Sequence, residues 1–177
     1  MRATTLLGPA TLIFVATAAA CSTQSTRITF YGAPDNDPPG STETAFSCDL
    51  VSSRGNNAGG TGAFDDPLTF ATATGEFEPC EVIYIPYLQK YGINQDFCAQ
   101  CNEDWGSGTW HIDIWTGDSY DGGEVQTDCE ESLTPDDNQS IVRSPPDNLP
   151  VDTIALFDYG QCNVDHTYNG NEASCDA

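Results

Sequence analysis

Asp113 and Asp96 stand where a carboxyl group could do acid chemistry. Asp113 lies in Trp110-His111-Ile112-Asp113-Ile114-Trp115, a run dominated by isoleucine and aromatic residues that predicts a strand. Strand side chains alternate between faces. Trp110, Ile112 and Ile114 therefore share an apolar face, and His111, Asp113 and Trp115 share the other. A carboxylic acid in an apolar or acidic setting keeps its proton to higher pH and can protonate the bridging oxygen of a glycosidic bond. Ordinary hydrolysis needs a second carboxylate, and Asp96 is the candidate. Each acid also has a plainer reading. Asp113 can be a solvated strand carboxylate, and Asp96 a turn carboxylate bonding backbone N–H groups. His111 can orient Asp113, or simply bond backbone or water. Tyr31, Tyr84, Trp105 and Trp115 offer flat faces for stacking on sugar rings, Tyr84 being the best suited to a core instead.

The elements that must position these groups are short. Strands are expected at Arg27 to Tyr31, around Cys48 within Thr44 to Val51, at Leu68 to Ala73, at Val82 to Ile85 and at Trp110 to Trp115. Leu88 to Tyr91 reads as a short strand or a helical turn. Gly92 to Asp96 reads as the approach to Cys98-Ala99-Gln100-Cys101, and Glu124 to Cys129 as an edge strand. The Gly59-Gly60-Thr61-Gly62 loop lacks the lysine of a phosphate loop. No helix of convincing length or periodicity is expected. Short strands with Gly/Pro turns predict an all-β fold, a small barrel or sandwich.

Length and composition bound the rest. The 177 residues suffice for one domain with an extension. Arg2, the apolar run Leu6 to Val15 and Ala18-Ala19-Ala20 make residues 1–20 a secretory signal peptide, too short for a membrane span. The expected plan is a barrel over 21–133 and an extension over 134–177 that packs back on it. Cys21, Cys48, Cys80, Cys98, Cys101, Cys129, Cys162 and Cys175 are an even set in a secreted chain, which favours disulfides over metal. Their pairing stays open, and no metal or cofactor is expected. Asn138-Gln139-Ser140 is a glycosylation sequon at Asn138. Removing Arg2 with the signal takes the formal charge from −22 to about −23. Such a surface repels nucleic acid and anionic membranes, and suits a secreted protein in acidic surroundings. A monomer is expected.

Two stretches carry a family resemblance. Thr29-Phe30-Tyr31-Gly32 resembles the first barrel strand of expansins. Asp96-Phe97-Cys98-Ala99-Gln100-Cys101, followed by His111-Ile112-Asp113-Ile114, resembles their late strand pair. Both belong to the six-stranded double-psi β-barrel superfamily, with barwin-like and cerato-platanin-like proteins, family 45 endoglucanases and related lytic transglycosylases. The resemblance spans roughly residues 27 to 130. The whole chain also resembles small secreted fungal proteins carrying Gly-Gly-Thr-Gly and Cys-Ala-Gln-Cys. The resemblance implies a disulfide-stapled double-psi barrel with Asp113 as proton donor, Asp96 as second groove acid and Thr29 as groove threonine. It departs in two places. The catalytic base of family 45 enzymes ends the first strand, where this chain has Gly32 and Ala33, with Asp35 two residues on. The aromatic that follows the Asp96 position in bacterial expansins falls near Cys98, so that contact is lost or replaced.

The expectation is therefore a secreted, extracellular protein that acts on a cell-wall polysaccharide, peptidoglycan or a β-1,4-glucan. Asp113 and Asp96 would be catalytic, with Thr29, Tyr31, His111, Trp115 and Trp105 binding the sugar. The alternatives are a non-catalytic wall-loosening module and a secreted effector that binds a protein.

Overall fold

The computed structural model describes residues 20–117 and 123–175. Residues 1–19 of the expected signal segment fall outside them, as do residues 118–122 of an expected polar turn. The strands are β1 (Ser22–Tyr31), β2 (Leu68–Thr72), β3 (Val82–Ile85), β4 (Lys90–Phe97), β5 (His111–Trp115) and β6 (Gln139–Arg143). These six close into a barrel in the order β1-β5-β2-β4-β3-β6. The expected all-β, disulfide-stapled barrel is the observed architecture. Helices α1 (Ala99–Gly106) and α2 (Gly123–Leu133) and a two-stranded ribbon, β7 (Phe157–Asp158) with β8 (Gln161–Cys162), complete it.

Ile28, Phe70, Ile83, Ile85, Ile112, Ile114, Ile141 and Leu133 fill the core. Strand β1 is longer than its apolar pattern because it changes partner midway. Ser22 to Thr26 pair antiparallel with β6, and Arg27 to Tyr31 pair parallel with β5. The first half is polar and shows no alternation to read.

Four expectations are corrected. Strand β6 lies beyond residue 133, so the barrel needs part of the segment assigned to the extension. Glu124 to Cys129 is not an edge strand but part of α2, which buries Gln126, Cys129, Glu130 and Leu133. That spacing is helical, but two of the four buried residues are polar and disguise the stripe. Thr44 to Val51 forms no strand. It holds a 3₁₀ turn at Asp49–Val51, tied down by the Cys48–Cys80 disulfide.

The expected connection at Gly92 to Asp96 is in fact β4, buried from Lys90 to Gln95. Its polar side chains find partners elsewhere in the fold. Lys90 Nζ donates to the carbonyls of Thr61, Asp152 and Ile154. Gln95 Oε1 accepts from Thr69 and Arg54. Lys90 thereby fastens the segment around Asp152 to the barrel, and Leu156 and Phe157 bury themselves behind it. The remaining disulfides join Cys21 to Cys175, Cys98 to Cys101 and Cys129 to Cys162.

Candidate functional site

Strands β5, β2 and β4 lie side by side, and Ala71 of β2 is registered with both Asp113 and Asp96. Two strand spacings thus separate the acids, roughly 10 Å between backbones. The methyl group of Ala71 leaves open space between them. A groove of about 580 Å³ occupies that space, lined by Asp113, Asp96, Tyr31, Asp35, Phe97 and Gln100 among others.

Asp113 is half-buried on the floor. Burial, opposed by a hydrogen bond from Thr29 and helped by the charges of Asp35 and Asp96, leaves its carboxyl pushed up to about 7. Asp96 is raised by burial, against hydrogen bonds from the Phe97 and Ala45 N–H groups and from Tyr31. Tyr31 Oη donates to Asp96 Oδ2 at 3.1 Å, and the Ala45 and Phe97 N–H groups reach Asp96 Oδ1 at 3.1 and 2.9 Å. Asp96 therefore lines the groove and also bonds backbone N–H groups.

The structure brings Thr29, Tyr31, Asp96 and Asp113 together. Thr29 Oγ1 lies 2.7 Å from Asp113 Oδ1 and 2.9 Å from His111 Nε2. His111 is buried behind Thr29 and does not line the groove, which corrects its assignment as a sugar contact. Its other nitrogen, Nδ1, lies 2.8 Å from Asp104 Oδ2, which also accepts from Arg27 at 3.1 Å. Burial lowers the His111 pKa, Asp104 opposes that, and Arg27 adds to it.

Two tryptophans also leave the expected site. Trp115 is only 2% exposed, packs edge-on against Tyr31 with ring centroids 5.2 Å apart, and lines a separate cavity with the Gly59-Gly60 loop and residues 153–158. Trp105 sits on α1 with its ring centroid 4.8 Å from that of Trp110, and is no part of the groove. The groove's exposed aromatic is Phe97, 49% exposed beside Asp96. It answers the loss expected near Cys98, for an aromatic is present one residue after the acid. Should the groove bind a sugar ring, as proposed below, Phe97→Ala would weaken that binding by roughly 1 kcal/mol, about fivefold in Kd. Its exposure means the melting temperature should barely move. Affinity gels or calorimetry alongside thermal melts check both.

Asn138 of the sequon is exposed just before β6.

The first strand runs into Gly32 without a carboxylate, and the space beside that glycine is occupied. A Cβ on Gly32 would collide with Gln126 Nε2 and come within 2.7 Å of Glu130 Oε1 and 2.8 Å of Thr116 Oγ1. Helix α2 has filled that space. Burial pushes the Glu130 carboxyl up to about 8, helped by Asp35 and Asp113 and opposed by Thr116 and Gln126. A buried carboxyl that keeps its proton past neutrality is a poor base. The exposed carboxylate nearest in sequence is Asp35, whose Oδ1 accepts from the Gly32 N–H at 2.8 Å. Asp35, Phe97, Glu130 and Asp104 were outside the expected site. Asp35 and Phe97 adjoin its motifs, whereas Glu130 and Asp104 reach it only through helices.

Fold and site together define a small, disulfide-stapled, closed β-barrel with an acidic groove. The chain belongs to the DDB_G0273701 N-terminal domain family, whose model matches residues 23–163. A Dictyostelium discoideum relative, Uncharacterized protein DDB_G0273701/DDB_G0273221, is 36% identical over 152 residues. The match covers 82% of this chain and 64% of the relative. No solved structure matches the chain. Among the described residues, no helix is long and apolar enough to cross a membrane, and no group of three or more His, Cys, Asp or Glu could hold a metal ion.

Proposed function

We propose that this chain is a secreted barrel that binds a cell-wall polysaccharide and cleaves its glycosidic bonds with Asp113 as general acid. The observation that carries this reading is Asp113 itself: half-buried on the floor of an acidic groove, with its carboxyl raised to about 7. Such a group holds a proton at mildly acidic pH, yet its acidity suffices to give the proton to a leaving oxygen. Tyr31 holds Asp96 across the groove, and Phe97 offers a ring face to a sugar. Two chain arrangements support the double-psi relationship. Strand β5 is inserted between the consecutive antiparallel strands β1 and β2, and β4 likewise between β2 and β3. The four disulfides and the leader-like start support secretion.

Two routes complete the cleavage. Asp35 activates a water, or a hydroxyl of the substrate attacks and leaves an anhydro sugar. Incubation with bacterial and fungal walls distinguishes them, since the first yields reducing ends and the second anhydro ends. Cleavage is overturned if no wall yields either product.

A second reading is favoured by one observation, the absence of room for a base at Gly32. It makes the protein a non-catalytic binding or wall-loosening module. Retention on insoluble polysaccharide and mechanical weakening, with no soluble product, would establish it.

A further inference from the structure

Thr29 has one hydroxyl hydrogen and two close neighbours, His111 Nε2 at 2.9 Å and Asp113 Oδ1 at 2.7 Å. Both contacts are hydrogen bonds only if a second hydrogen lies along the row. His111 Nδ1 faces the Asp104 carboxylate at 2.8 Å, so its hydrogen belongs there. That leaves Nε2 bare in the neutral ring. Thr29 then donates to Nε2, and the remaining hydrogen must sit on Asp113, donating to Thr29 Oγ1. The other arrangement puts it on Nε2 and makes His111 an imidazolium. The ring is 1% exposed and the Arg27 guanidinium shares its Asp104 partner, so that form is disfavoured.

We propose that Asp104, His111 and Thr29 form a relay that couples the protonation of Asp113 to the direction of the Thr29 hydroxyl. Asp104 and His111 are positioning residues, because they fix which way the Thr29 hydroxyl points. The groups facing Asp113 from other elements favour its protonated form. Asp35 after β1, Asp96 on β4 and Glu130 on α2 are acidic, and Tyr31 on β1 is a phenol. None of them supplies a cation that would draw the proton off.

The catalytic consequence rests on the reading of Asp113 as an acid. When the Asp113 proton passes to the glycosidic oxygen, the C–O bond breaks and takes the bonding pair with the leaving group. The Thr29 hydroxyl then turns from His111 Nε2 to the new carboxylate. His111 Nε2 is left as an open acceptor for the next proton. The hydroxyl is thus a donor that switches between two acceptors.

The test is an NMR titration of the intact protein. His111 and His166 are the two histidines, and His166 Nδ1 faces Asp152 outside the relay, so it serves as an internal control. Below the Asp113 midpoint, ring ¹⁵N shifts of His111 should show the Nδ1–H form. The His111 nitrogens and the Asp113 carboxyl carbon should then change with a common midpoint. Thr29→Val keeps the side-chain shape and removes the hydroxyl. It should move the Asp113 midpoint upward, because the carboxylate loses its donor, and should erase the matching change at His111. Thr29→Ser should restore both, and Asp104→Ala should populate the Nε2–H ring. A neutral Nε2–H ring in the wild type, separate midpoints, or Thr29→Val without effect on the coupling would overturn the relay. Product release is measured separately. A common midpoint in a protein that releases no product would sustain the relay and overturn cleavage alone.

Discussion

If Asp113 is the general acid proposed above, replacing it with asparagine should lower the release of sugar ends at least about 100-fold, the usual scale for losing a general acid. The amide matches the carboxylic acid in shape and can either donate to or accept from the Thr29 hydroxyl, so the groove should keep its form. It has no proton to give at any useful pH. The wild-type rate should itself fall as pH rises through about 7, where the Asp113 carboxyl loses its proton. Binding to insoluble wall should survive in Asp113→Asn, since Phe97 and Tyr31 are untouched. Product assays across pH 4 to 9, with a binding assay on the same samples, check the set. Equal release by both proteins would end the catalytic role of Asp113.

Stability should also fall as pH rises, opposite to the trend set by salt-bridged carboxylates. The sign follows from Glu130, whose ordinary carboxyl value of 4.5 is pushed up to about 8 in the fold. Between those values the unfolded chain has released the proton and the folded chain still binds it. Stability is therefore full below the unfolded value and is lost as pH climbs through the folded one. Asp113 adds to this over its window from 3.8 to about 7. For Glu130 the loss is on the order of 3–5 kcal/mol by pH 8, a large share of the stability of a small domain. A formal charge of −22 adds self-repulsion in the same direction. Asp152 sets the acid limit. Burial raises its carboxyl, but Tyr168, His166 and the Ile154 N–H outweigh that and hold it at about 2. Its contribution is lost as pH falls from about 4 toward that value. Thermal melts should peak near pH 4–5. Glu130→Gln, neutral at every pH, should raise the melting temperature at pH 8 and flatten the slope. A melt that rises steadily from pH 5 to 8 would contradict this account.

The legible parts of the site were those written in local periodicity. Alternation through Ile112 and Ile114 placed Asp113 off the core face, and the first-strand and late-strand motifs paired it with Thr29, Tyr31 and Asp96. What stayed hidden was set by contacts distant in sequence. Strand β4 reads as polar because Lys90 and Gln95 are satisfied by Thr61, Thr69, Arg54 and the distant tail. Helix α2 reads as something else because Gln126 and Glu130 occupy its buried stripe. Trp115 was placed on the Asp113 side of its strand, but alternation says nothing of what later covers a side chain. Asp104 meets His111 only because α1 folds back over the start of β5, and seven residues of spacing do not foretell that.

Gly32 also couples two parts of the molecule that are distant in sequence. A side chain there would require the ends of Gln126 and Glu130 and the Thr116 hydroxyl to rearrange together. Those three groups are buried and bonded to one another, Thr116 Oγ1 donating to Glu130 Oε1 and accepting from Gln126 Nε2. The glycine is thus a joint between the groove strand and helix α2, and a change on one side is felt on the other.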